Sequence, residues 1–273
     1  MPSRPLKRLM VHLDQGERSA VRLALAASLA YSHAARLIGV FGQRAQPQRI
    51  GVVANWPSPE YEEAAADNRR AFAEATEGLP DVEWHDVNRG SDAELLRRIT
   101  DFARYADLAI LGQHDESARP LTPPDLAEEV VLGSGRPVLI VPYAGSFAEV
   151  GRRPLIAWNA SRESAHAVGD ALPLIAGCVE ASVVSLDMRH EHADAGCERL
   201  AEHLACHGIR ANTEALVVED VGVMDVLLSR VSDVGADLLV MGAHAPTAVP
   251  FVSAGAGTRH ILRHMIVPVL MSN

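Results

Sequence analysis

Aromatic side chains are scarce, at 4% of 273 residues. That is too few for the stacking platforms that hold single-stranded nucleic acid. Cysteine is almost absent: Cys178, Cys197 and Cys206 form no CxxC pair and leave an odd count. They read as reduced thiols, which points to the cytoplasm. Basic charge is in deficit, with 25 Lys+Arg against 35 Asp+Glu and a net charge of -10. Nucleic-acid binding needs a surplus of cations to displace counterions, so it is not expected. No apolar run reaches the roughly 18 residues that a membrane helix requires. The apolar stretch Leu9 to Leu13 is too short for a signal peptide. What the chain does have is apolar mass, 48% of its residues, ample for a buried core. At about 150 residues per domain its length suits two modest domains or one large one.

Two is the better reading, because the sequence repeats itself. Leu6 to Leu13 followed by Asp14 and Glu17-Arg18-Ser19-Ala20 matches Arg153 to Trp158 followed by Asn159 and Arg162-Glu163-Ser164-Ala165. A shift of 145 superimposes Asp14 on Asn159 and Ser19 on Ser164. Further on, Ala106-Asp107-Leu108 matches Ala236-Asp237-Leu238 at a shift of 130, and Pro137-Val138-Leu139 matches Pro268-Val269-Leu270 at 131. The smaller shift places about 15 extra residues in the first half, by the same counting, in the polar stretch Gln43 to Glu60. The boundary falls near Tyr143 to Gly151, giving domains 1–147 and 148–273.

Each half alternates short apolar runs with helical patterns. The expected strands are Arg8–Leu13, Ala35–Phe41, Val82–His85, Leu108–Gly112 and Pro137–Val141, then Pro154–Trp158, Ala181–Leu186, Arg210–Val217, Leu238–Gly242 and Val267–Met271. The expected helices are Glu17–Ser32, Glu60–Glu77, Ser91–Arg104 and Pro124–Leu132, then Arg162–Ala176, Ala193–His207, Gly222–Gly235 and Gly257–Arg263. Runs such as Leu238-Leu239-Val240-Met241 do not alternate, as befits parallel strands covered on both faces. The fold class is α/β, with two tandem flavodoxin-like, doubly wound, parallel five-stranded sheets. The last strand of each half is short and apolar. An apolar edge is normally paired or covered, so each is expected to be covered. A homodimer of chains is left open by the sequence.

In such sheets ligands bind beyond the carboxyl ends of the strands, where the strand order reverses. In the second half this singles out Asn159-Ala160-Ser161, Gly242-Ala243-His244, and the glycines of Gly255-Ala256-Gly257-Thr258 at a helix start. Backbone amides and the helix dipole suit an anion there. Thr258 offers a hydroxyl or caps the helix. No Walker lysine follows these glycines, no GxGxxG follows either first strand, and the elbow GxSxG is missing. In the first half His12, Asp14, Gly112 and His114 are expected at the matching crevice, as a site or as packing and polarity at its rim. The densest group of metal-type ligands is His190-Glu191-His192-Ala193-Asp194 with Cys197, His203, Cys206 and His207. It reads as a solvated turn before a helix, with Cys197 and Cys206 as buried small hydrophobes, and no metal is expected.

The Ala-Asp-Leu-Leu-Val-Met-Gly run at 236–242, the loop after it, and Gly-Ala-Gly-Thr-Arg-His-Ile-Leu-Arg-His before Val-Pro-Val-Leu-Met resemble the universal stress protein family, in a tandem two-domain form. The family fold is the adenine nucleotide alpha hydrolase-like version of the flavodoxin arrangement. Its nucleotide motif runs Gly, two residues, Gly, nine residues, Gly, then Ser or Thr. Gly242 and Gly255 match its first and third glycines, the second falls on Ala245, and the last position falls on Ala256. The family's adenine-side acid falls on Asn159. In the first half Gly112 and Asp14 match, but the third glycine falls at about Pro124, and proline has no N–H to offer. The resemblance implies ATP or another adenine nucleotide held by Asn159, Ala160, Ser185, Val217, Gly242, Ala245, Gly255, Gly257 and Thr258. It implies that the last strands of the two halves pair antiparallel, giving an internal pseudo-dimer, and it implies a cytoplasmic stress-response binding or signalling module rather than an enzyme. The alternatives are a scaffold whose crevices hold another ligand or partner, and a slow ATP-hydrolysing switch.

Overall fold

The apolar runs form strands and the amphipathic runs form helices, within a residue or two of expectation. The structure is a computed structural model. It describes residues 5–44, 48–50, 53–55, 57–87, 91–119, 121–187, 193–217, 222–243 and 255–273. By internal contacts the chain divides into two compact units, residues 6–136 and residues 137–273 with the first five.

In the unit 6–136 the strands are β1 (Arg8–Leu13), β2 (Arg36–Phe41), a hairpin of β3 (Gln48–Ile50) and β4 (Val53–Asn55), β5 (Val82–Asp86) and β6 (Leu108–Gly112). The helices are α1 (Ser19–His33), α2 (Pro59–Ala75), α3 (Asp92–Ala103) and α4 (Leu126–Ser134). Four strands run parallel in the order β6-β1-β2-β5. The hairpin is antiparallel and separate; it lies in the stretch expected only as a polar insertion. The few aromatic residues concentrate here, with Phe41 against Trp84 and Tyr61, and Phe72 against Trp84.

In the other unit come β7 (Val138–Val141), β8 (Pro154–Trp158), β9 (Ala181–Asp187), β10 (Ala211–Val217), β11 (Leu238–Gly242) and β12 (Val269–Ser272). Its helices are α5 (Arg162–Ile175), α6 (Ala193–Cys206), α7 (Val223–Asp233) and α8 (Ala256–His264). The order is β10-β9-β8-β11-β12-β7. Five strands are parallel. β7 is antiparallel to β12, with Leu139 opposite Leu270. The last strands of the two sequence halves therefore pair, and neither apolar run is left bare.

The repeated Ala-Asp-Leu has a structural cause. Asp107, just before β6, accepts the backbone N–H groups of Lys7 and Arg8 at the start of β1. Asp237, just before β11, accepts those of Gly151, Arg152 and Arg153 ahead of β8. Each carboxylate ties the two strands that flank the reversal of strand order. Such charge-assisted bonds fix the spacing of the crevice that opens at the strands' other end.

One expectation is corrected. Cys197 is buried, with Leu200 and Leu204 on the same face of α6, but Cys206 is exposed. Cys206 lies nine residues beyond Cys197, about two and a half turns, which carries it to the opposite face.

Candidate functional site

Both crevices open where strand order reverses, between β1 and β6 in one unit and between β8 and β11 in the other. Each begins with the same turn. Asp14 Oδ1 accepts the Gly16 N–H at 2.7 Å, and Asn159 Oδ1 accepts the Ser161 N–H at 3.2 Å. An Asx side chain here closes the strand-to-helix corner on its own backbone, so this position has a local role in both halves. Ala160 sits in the left-handed region at φ 56. Ser161 then caps α5 by accepting the Ser164 N–H at 3.1 Å.

Beyond the turn the two crevices diverge. In the first, the free oxygen of Asp14 is taken by Arg22, whose Nη2 donates to Oδ2 at 2.8 Å while its Nε donates to the His12 carbonyl at 3.1 Å. Arg22 is only 4% exposed. Its guanidinium covers Gly112: a Cβ there would stand 3.0 Å from Cζ. The His12 ring N–H donates to the Gly42 carbonyl at 2.8 Å, and its other nitrogen lies 4.0 Å from Asp14. Burial, aided by the Arg22 charge and opposed by that of Asp14, holds the His12 imidazole down to about 4, so it is neutral. Burial works against the charged form of Asp14. The Arg22 guanidinium, His12 and the Gly16 amide outweigh it and keep the carboxyl below its ordinary range. Gln43 is also buried and accepts the Gln15 N–H at 2.7 Å. Of the four first-half residues expected to converge, the structure joins His12, Asp14 and Gly112, through Arg22. His114 is half-buried and interacts with Asp115 instead.

In the second crevice Arg22 is matched by Ala167, His12 by Ala157 and Asp14 by Asn159, at the shift of 145. Asn159 and Ala160 are exposed, Ser185 is buried at the carboxyl end of β9, and Val217 ends β10. Gly242 answers to its own packing. A Cβ there would fall 2.6 Å from the backbone of Glu163 and Ser164, so the glycine lets α5 close on β11. Glu163 is buried; its own backbone amide, Ser161 and Arg162 outweigh burial and hold its carboxyl below the ordinary range. Gly255 caps α8 in the left-handed conformation at φ 82, with no side-chain cap on the first turn. A residue with a Cβ is strained there. Gly257 faces the Met224 side chain, and Thr258 is buried within the helix rather than capping it. Ala245 and His244 lie outside the described residues.

Two crevice residues escaped sequence reasoning. Arg22 is one, although its spacing from Ser19 and Ala26 put it on the buried face of α1. Trp158 is the other, half-buried next to Asn159, with its indole N–H buried and without an acceptor among the described residues. Elsewhere in the same unit a cavity of about 460 Å³ lies between α7 and strands β9 and β10, lined by Arg153, Glu180, Ser182, Glu214 and Arg230. It involves none of the residues expected to bind nucleotide. Among the described residues no group of three His, Cys, Asp or Glu is placed to hold a metal; His190 and His192 fall outside them. Nor is any described helix long and apolar enough to cross a membrane.

No protein-family model matches the sequence, and no curated protein matches it. Among solved structures the chain is similar to a universal stress protein from Archaeoglobus fulgidus DSM 4304. The two share 15% identity over 97% of this chain and 98% of that one, with a TM-score of 0.68. It is also similar to a functionally unknown protein from Pseudomonas aeruginosa PAO1, at 17% identity over 98% of this chain and 92% of that one, TM-score 0.63. Along nearly its whole length, the chain has the tandem α/β fold of a universal stress protein.

Proposed function

We propose that the chain is a cytoplasmic universal stress protein of two domains, 1–147 and 148–273, which binds ATP or another adenine nucleotide in the crevice of its second half. The observation that carries this reading is the contrast at the strand-order reversal. The first crevice is filled by Arg22, whereas the second has Ala167 at that place, and the helix that follows β11 is capped by glycine. The base would lie against Asn159, Ala160, Ser185 and Val217, and the phosphates against Gly242, Ala245, Gly255, Gly257 and Thr258. The left-handed Gly255 leaves the first-turn amides of α8 without a side-chain cap, the local chemistry that attracts an anion. The protein acts as a binding or signalling module. His12 is 1% exposed in the other crevice and out of reach of a substrate.

Mass spectrometry of the purified, undenatured chain tests for co-purifying nucleotide, and calorimetry with ATP measures stoichiometry. One nucleotide per chain is expected. No binding at millimolar ATP overturns the reading. Gly255→Trp is expected to abolish binding by filling the phosphate position; unchanged affinity would place the nucleotide elsewhere.

A further inference from the structure

The two crevices can be compared atom by atom at their entrances. Asp14 and Asn159 make the same turn, with Oδ1 accepting the N–H two residues on. Ser19 and Ser164 follow at the start of the next helix, and Gly112 and Gly242 end the neighbouring strands. Within that shared frame, position 22 carries a buried guanidinium and position 167 a buried methyl group. The guanidinium is held as a bound ligand would be. It makes an ion pair with Asp14, a hydrogen bond to the His12 carbonyl and close contact with the Cβ-less face of Gly112.

We infer that Arg22 is an occupant supplied by the chain itself, filling the first crevice so that no separate ligand enters it. The chemistry of the filled space follows from its walls. A carboxylate oxygen, a carbonyl oxygen and a bare glycine surface suit a small planar cation with several N–H donors. Removal of the Arg22 side chain leaves a guanidinium-shaped hollow around a charged Asp14. A free guanidinium ion binds there and restores what the substitution removed, because a ligand that binds only the folded state raises its stability.

The test uses the full chain carrying Arg22→Ala, followed by thermal unfolding with methylguanidinium and, as its uncharged isostere, methylurea, both at millimolar concentration. The variant is expected to melt below the parent. Methylguanidinium is expected to raise the variant's Tm progressively with concentration, methylurea to leave it unchanged, and neither to raise the parent's. A variant whose Tm ignores methylguanidinium has collapsed around Asp14, and the inference is overturned. Should Arg22→Ala fail to fold, Asp14→Asn combined with Arg22→Ala removes the stranded charge. Its Tm is then expected to rise with methylurea and methylguanidinium alike, and indifference to both overturns the inference.

Discussion

The two crevices share a backbone and differ in what fills it. Both lie at a reversal of strand order, both begin with an Asx turn, and both have an aspartate tying the strands at the far end. The first has His12, Asp14 and Arg22 where the second has Ala157, Asn159 and Ala167. The three replacements belong together. A buried arginine needs a partner, its partner needs the arginine, and the histidine beside them must stay neutral. The comparison teaches that one backbone frame can be completed in two ways. The first copy holds a buried ion pair within it, whereas the second has Ala157 and a buried Ala167 at the matching places and an exposed Asn159 at its rim.

The largest expected effect is the loss of that charge. Arg22→Ala strands Asp14, and Asp14→Asn strands Arg22. Each is expected to lower unfolding free energy by about 3–5 kcal/mol in urea titration, because one buried ion is left unpaired. The double substitution is expected to cost clearly less than the sum, since the pair acts as one unit. Additive losses would show that the two side chains do not depend on each other, and the contrast between the halves would lose its physical basis.

Acid sharpens the same contrast. The folded state holds His12 at about 4 against 6.5 in the open chain. A depressed value means that protonation favours the unfolded state. The contribution of His12 is complete above pH 6.5 and is lost as pH falls from there through about 4. Over that window the chain is expected to lose about 3 kcal/mol, at 1.36 kcal/mol per pH unit of displacement. The Asp14 carboxyl is held below its ordinary range. His12→Gln is expected to flatten the pH dependence of the urea midpoint over this window. A variant as acid-labile as the parent would assign the effect to other groups.

Next in size is a pair of glycines. In Gly242→Ala the new methyl meets the backbone of Glu163 and Ser164, and backbone cannot swing aside. A loss of about 1–3 kcal/mol is expected, as for other overpacked sites. In Gly112→Ala the methyl meets the Arg22 side chain. In the parent that side chain is pinned by its ion pair, but in Arg22→Ala it is gone. Gly112→Ala is therefore expected to be costly by itself and nearly harmless beside Arg22→Ala, whereas Gly242→Ala is costly in either background.

The sheet was legible because parallel strands buried on both faces leave unbroken apolar runs. Arg8–Leu13 and Leu238–Gly242 stand where such runs predict them. The repeat marked β7 and β12 as two short apolar runs that needed cover, and the family resemblance indicated that they would cover each other. The hairpin at 48–55 was not legible, because three-residue strands carry no periodicity. Cys206 was misjudged because a helix gives each residue a face and not only a segment. The identity of the occupant in the first crevice depends on one residue eight positions beyond Asp14. Its signal was a charge on the apolar stripe of α1, between Ser19 and Ala26, and a buried arginine at that spacing demands a buried acid.

The smallest expected effect is the most discriminating. Asn159→Asp restores in the second half the acid that the first half has. Its Oδ1 can still accept the Ser161 N–H, as Asp14 does for Gly16. No arginine waits at position 167, and residue 159 is exposed, so the new charge is solvated rather than buried. Stability is expected to change by less than about 0.5 kcal/mol, as for other exposed substitutions, measured by urea titration at neutral pH. The reverse exchange in the first half, Asp14→Asn, carries the full cost of an orphaned guanidinium. The same two side chains at the same place in the same fold thus differ several-fold in consequence. If Asn159→Asp proved as costly as Asp14→Asn, the turn itself and not residue 22 would set the cost, and the distinction between a crevice filled by an arginine and one without it would be lost.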